Sequence, residues 1–143
     1  MSTNYTEHLG LTLWEANDPV LRTEFNANNQ KLDTVLGAMP RIAVGSYVGT
    51  GDSGAATPNT LTFDFTPMMV VIAVDSLNAV DPGTVMIRGQ SGVPGFGYLP
   101  SSTYSMQIHV DWKNNGLSWY NDNDHYNQLN AFGCTYCYFA IGV

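Results

Sequence analysis

The sequence predicts a mainly β protein: an antiparallel β-sandwich head of about seven or eight strands, preceded by one N-terminal α-helix. Three observations carry this. Charge usage divides the chain near Met39-Pro40, because all three Glu and three of the five basic residues lie at or before Arg41, whereas every acid from Ile42 onward is Asp. Glu suits helix interiors and Asp suits turns. Beyond Ile42, apolar and polar residues alternate with period two, and Gly, Pro and Asn separate the runs. The 143 residues thus divide into an arm and amphipathic helix over 1–41 and a β-sandwich over 42–143.

The segment Leu9-Gly-Leu-Thr-Leu-Trp14 is apolar and reads as extended. Asn17 or Asp18 then offers a helix cap and Pro19 suits the first turn, so a helix is expected from about Pro19 to Leu36, ending at Gly37 as the residue after the cap. Leu21, Phe25, Asn28, Leu32 and Val35 follow one another at spacings of 4, 3, 4 and 3. That is a heptad seam, with Asn28 in the place where a polar residue fixes register and oligomer state. The many Asn residues make the segment a mediocre helix former, so it needs a partner surface.

In the second part, Leu61, Phe63 and Phe65 alternate with Thr62 and Asp64 as in a half-buried strand. Met68–Val74 is continuously apolar, as in a central strand covered on both faces. Thr84–Arg88 is a short strand after an Asp81-Pro82-Gly83 turn. Tyr104–Trp112 alternates most clearly, and Asn115-Gly116 supplies a two-residue hairpin loop into Leu117–Tyr120. That loop would set Trp112 opposite Trp119. A last strand over 134–142 puts Cys137, Phe139 and Ile141 on one face. No internal repeat or low-complexity tract is present.

Charge excludes several function classes. Five basic against twelve acidic residues give a net charge of −7 and a pI near 4.5, which argues against a nucleic-acid partner or an anionic membrane surface. No apolar run approaches the 18 residues of a membrane span, so no membrane insertion is expected. The first residues have no basic and apolar regions of a secretory signal.

Gly49-Thr-Gly51-Asp-Ser-Gly54 matches the spacing of a dinucleotide fingerprint, but Pro58 blocks the helix that must follow it and Asp52 would repel phosphate. It reads as a Gly-rich turn. The same stretch resembles a trypsin-like nucleophile, but only His8 precedes Ser53. Cys134 and Cys137 have no further C-x-x-C or paired His to complete a zinc site, and in one strand they would be about 10 Å apart. Two free, mostly buried thiols are expected. His109 shares a face with Gln107 and Asp111, a wet sheet face before it is a general base. Asn121–Asn127 is the densest polar cluster. It lacks the Gly and distal Glu of a calcium loop, leaving a solvated turn or a ligand contact. No cofactor, metal or catalytic residue is expected.

The segment Leu9–Asp33, with Trp14 and then Arg22-x-x-Phe25-Asn-x-Asn28-x-x-x-Leu32-Asp33, resembles the start of prophage tail-fibre proteins of Gram-positive bacteria. Tyr47–Gly51, Pro58–Phe63, Met68–Val74, Trp119-Tyr120, Gln128–Asn130 and Tyr136–Gly142 are similar to their C-terminal heads. The resemblance covers nearly the whole chain, without the usual long shaft. It implies a virion tail protein, a homotrimer joined to other tail or baseplate proteins, whose head contacts the host and which carries no catalytic residues. Abundant Asn, Tyr and Trp at low charge suit a bacterial surface polysaccharide, since rings stack on sugar faces and amides bond hydroxyls. The expected ligand residues are Trp119, Tyr120, Asp122, Asp124, His125 and Tyr126, with Phe96 and Tyr98 in a second loop. The alternatives are a purely structural tail or baseplate subunit and, less favoured for want of a carboxylate pair, a glycan-degrading enzyme.

Overall fold

The computed structural model describes residues 2, 4–75, 83–95 and 107–143. The chain divides into two compact units between Met39 and Pro40.

The first unit holds β1 (Asn4–Tyr5), β2 (Thr12–Leu13) and α1 (Arg22–Gly37). The two short strands pair antiparallel, Asn4 opposite Leu13. The helix starts three residues later than its sequence suggests. Asp18 is spent closing a turn, its carboxylate accepting the Glu15 N–H at 3.0 Å, and the residue before a proline is disfavoured in helical conformation. Leu21 becomes the N-cap without any side-chain hydrogen bond. At the other end Gly37 stays helical and Ala38, in right-handed conformation, closes the last turn, so the expected left-handed glycine stop is not used. Asn28 also departs from its expected part in the seam. It is buried, and its amide clasps the β2 backbone, Oδ1 accepting the Thr12 N–H at 2.8 Å and Nδ2 donating to the Thr12 carbonyl at 3.3 Å. Glu24 accepts from the Trp14 indole and Lys31 donates to the Gly10 carbonyl, completing the attachment of arm to helix. Leu21, Phe25, Leu32 and Val35 remain exposed.

The second unit is built of β3 (Arg41–Val48), β4 (Asn59–Thr62), β5 (Pro67–Val74), β6 (Thr84–Ile87), β7 (Gly92–Pro94), β8 (Gln107–Lys113), β9 (Gly116–Tyr120) and β10 (Thr135–Gly142). They form two four-stranded antiparallel sheets, ordered β3-β10-β5-β6 and β4-β9-β8-β7. Val70, Ile72, Met86, Tyr136 and Ala140 of the first sheet share one core with Val93, Ile108, Val110, Leu117 and Trp119 of the second. The protein is therefore mainly β, in a sandwich-like arrangement. Phe63 and Phe65 lie just past β4, yet both are buried and stack on each other at 5.2 Å, as their alternation predicts.

Two strand details differ from the sequence reading. The β8–β9 hairpin turns on Asn114-Asn115 rather than Asn115-Gly116, pairing Lys113 with Gly116. Trp112 thus faces Leu117, and Trp119 faces Val110. Neither Asn has positive φ, and Gly116 serves another end: a Cβ there would collide with the Leu61 carbonyl of β4. Likewise, β5 is central and its inward Val70 and Ile72 are sealed, but the outward side of its sheet is open, Val44 and Val85 being exposed. Both cysteines are free, but Cys137 is exposed and Cys134 half-buried, because Tyr136 and Tyr138 take the inward positions of β10. Residues 81, 82 and 104–106 of the expected turn and strand lie outside the described residues.

Candidate ligand-binding surface

The stretch from Asn121 to Asn130, between β9 and β10, is held by its own buried amides. Asn121 and Gln128 are fully buried and Asn130 nearly so. Asn121 Oδ1 accepts the N–H groups of Asn123 and Asp124, and its Nδ2 donates to the Gln107 carbonyl at 2.9 Å. Gln128 joins three segments: its Oε1 accepts from Asn121 N–H at 3.0 Å and Gly54 N–H at 2.9 Å, while Nε2 donates to the Thr57 carbonyl and Asn59 Oδ1. The Trp119 indole donates to the Gln128 carbonyl at 2.8 Å. A polar-rich sequence thus folds as a rigid platform, since buried amides hold only where their partners are in place.

The Gly49–Gly54 turn docks on this platform. Gly49 N–H bonds the Cys134 carbonyl, Gly51 N–H the Asn130 carbonyl, and Thr50 N–H the Asn130 side chain at 3.0 Å. A Cβ at Gly49 would collide with the Ala131 carbonyl, so the glycine there serves close approach of two backbones. These N–H groups are committed inside the protein, in keeping with a plain turn. Between the turn, β3 and β4 lies a cleft of about 330 Å³ lined by Tyr47, Asp52, Thr57, Asn59, Thr60 and Asn130 among others. Sequence reasoning did not single out this cleft; the one signal for it was the concentration of amides in Gln128-Leu129-Asn130 beside a glycine-rich turn. Tyr47 forms part of the lining and donates to the Leu129 carbonyl at 2.7 Å. Burial, with a contribution from neighbouring Tyr136, pushes its phenol well above the ordinary tyrosine range, and the Asn59 hydrogen bond opposes this in part.

The candidate ligand residues separate into two sets. Trp119 is 1% exposed and packs edge-on against Tyr47, so its ring shapes the platform and offers no face to a ligand. Asp124 is also structural: its carboxylate accepts the Tyr126 N–H at 2.8 Å and the Asn127 amide at 2.9 Å. Asp122, by contrast, is exposed and meets His109 Nε2 at 3.1 Å. His109 in turn stacks on Tyr120, with ring centroids 4.7 Å apart. The partner of His109 is therefore Asp122 rather than Asp111, which occupies the same face further along β8. Tyr126 is exposed and leans on His125 at 4.3 Å. The result is a polar surface with accessible rings, carboxylates and imidazoles on a fixed backbone. Phe96 and Tyr98 lie outside the described residues. No group of three potential metal ligands occurs among the described residues, and no described helix is long and apolar enough to cross a membrane.

A scan against protein-family models matches none, and searches of curated proteins and of solved structures return no match.

Proposed function

We propose that this chain is a phage or prophage tail-fibre or receptor-binding subunit that recognises a bacterial surface glycan. In this reading it acts as a homotrimer in the virion tail, has no catalytic role, and attaches to other tail or baseplate proteins through its helical unit. The observation that supports it best is the amide-stapled loop, which sets Asp122 against His109 and its stacked Tyr120 and, further along, presents Tyr126 against His125. A sugar is bound by a ring beneath it and by directional hydrogen bonds to its hydroxyls, and both need a backbone that does not move. Each such site is weak, and three copies raise millimolar sites to useful avidity.

The test is binding of the full chain to an array of bacterial cell-wall polysaccharides, with Asp122→Ala/Tyr126→Ala alongside the wild type. Wild-type binding reduced at least tenfold in the variant, at unchanged melting, is the expected result. Equal binding by both would remove this surface from the reading. The alternative, a purely structural tail or baseplate subunit, draws on the exposed apolar residues of α1; it gains if the wild type assembles and binds no glycan.

A further inference from the structure

The outward face of the β3-β10-β5-β6 sheet breaks the rule that its neighbour obeys. On the β4-β9-β8-β7 sheet, the outward positions carry Thr60, His109 and Asp111, as expected of an antiparallel sheet with one solvated side. On the first sheet, the strand registers line up two wholly apolar rows. One crosses from Ile42 to Ile87; the next runs from Val44 through Phe139 and Val71 to Val85. Val44 is 73% exposed, Ile42 61%, Ile87 51% and Val85 47%. A third row, through Cys137, adds only small uncharged residues.

We infer that this face is where copies of the chain pack against one another. With strands about 4.8 Å apart and same-face residues about 6.8 Å apart, two rows on four strands and a third on three cover a flat footprint of roughly 360 Å². That is as large as the greatest apolar patch on a typical monomer. Packed against a second copy, and counting the relief of the side chains, it removes on the order of 1,000 Å², the size at which a specific interface begins. Rows of β-branched residues on a sheet are the surface that sheet-on-sheet packing uses. Charge selects the occupant. Each chain carries −7, and copies that meet through a face without charge keep their carboxylates apart. Within these three rows a sugar meets no hydroxyl or amide beyond Ser46 and a basic peptide no carboxylate; Thr135 and the exposed Asp75 lie at the end of the face, level with Val48. The inference rests on the homo-oligomer of the proposed function and not on its glycan.

The experiment uses the full chain. Its association is followed by sedimentation velocity from 1 to 100 µM, and Cys137 serves as a reporter, its alkylation read by peptide mass. The wild type should associate, with Cys137 alkylation at least tenfold slower at the top of the range than at the bottom. Val44→Glu/Val85→Glu, two exposed changes, should stay monomeric with fast alkylation throughout. An oligomer that survives in the double variant, or a wild-type oligomer in which Cys137 reacts freely, overturns the inference and leaves the homo-oligomer standing on other surfaces. A wild-type monomer at 100 µM overturns both. Loss of glycan binding with association intact counts against the glycan alone. Should the double variant fail to fold, the concentration dependence of Cys137 alkylation in the wild type decides the question.

Discussion

Leu129 holds φ at +59, a left-handed conformation that costs a non-glycine residue on the order of 1 kcal/mol. It is kept there because its side chain is buried, its N–H bonds the Tyr126 carbonyl and its own carbonyl accepts from Tyr47. Gln128 beside it makes four side-chain hydrogen bonds, so Gln128→Ala should cost on the order of 3 kcal/mol by leaving buried partners unpaired, whereas Asp122→Ala should change stability by about 0.5 kcal/mol or less; urea melts of both variants check this. Tyr47 gives a pH-dependent test. Its folded pKa lies above the ordinary value of about 10, so its contribution is complete below pH 10 and is lost as pH rises above it, when the unfolded chain ionises first. Tyr47→Phe should be about 1 kcal/mol less stable at pH 7, for want of the bond to Leu129, and that deficit should shrink by about 1.4 kcal/mol per pH unit above 10. A constant gap between pH 7 and 11 would contradict the burial of this phenol. None of these roles was legible beforehand. A run such as Asn121–Asn130 reads as solvated because its partners, Gly54, Thr57 and Asn59, lie some 70 residues away and only the fold brings them near.

The elements show where local pattern carries information and where it does not. Alternation placed β9 and β10 within a residue and the facing of Leu61, Phe63 and Phe65 correctly, though β4 itself ends at Thr62, because facing is a period-two property. It could not place the hairpin register. Moving the turn from Asn115-Gly116 to Asn114-Asn115 slides the strands by two residues, which keeps every side chain on its own face and only exchanges Trp112 for Val110 opposite Trp119. The helix ends failed for a related reason: Asp18 had a second local use, as the acceptor of a turn, and took it. Asn28 likewise found an intramolecular partner. Because its amide satisfies both polar groups of Thr12, Asn28→Ala should cost about 1–3 kcal/mol within the helical unit. It should also speed hydrogen exchange at the Thr12 amide while leaving β5 and β10 protected, which exchange mass spectrometry resolves by peptide.

At the level of the whole molecule, the two units differ in what sustains them. All residues of the buried core lie beyond Pro40, so the chain from 40 onward should fold alone. Deletion of residues 1–39 should leave one cooperative thermal transition, shifted by no more than a few degrees, as calorimetry of the two forms will show. Within that unit, the chain changes sheet at β3–β4, β4–β5, β6–β7 and β9–β10. Neither sheet is contiguous in sequence, and a single transition is the consequence expected of such interleaving. The fold class was legible because it follows from strand count and facing. The unusual apolar outward face was not, because an unbroken run such as Met68–Val74 signals burial on both sides without naming what lies on the second.

The position of β10 has a consequence for biosynthesis. This strand lies between β3 and β5 and pairs with both along its length, so the sheet has a gap at its centre until residues 135–142 leave the ribosome. For every preceding step of translation, about 5–20 residues per second, β3 and β5 wait with unpaired backbone and an apolar surface exposed. Chains cut short before Thr135 hold every strand of the second sheet but leave the first without its central β10. The contacts that close the sheet join segments about 60 to 100 residues apart, which places folding among the slow, non-local cases. Rapid synthesis therefore leaves this apolar surface exposed until Thr135–Gly142 emerge, and expression at lower temperature with a slowed ribosome should raise the soluble yield.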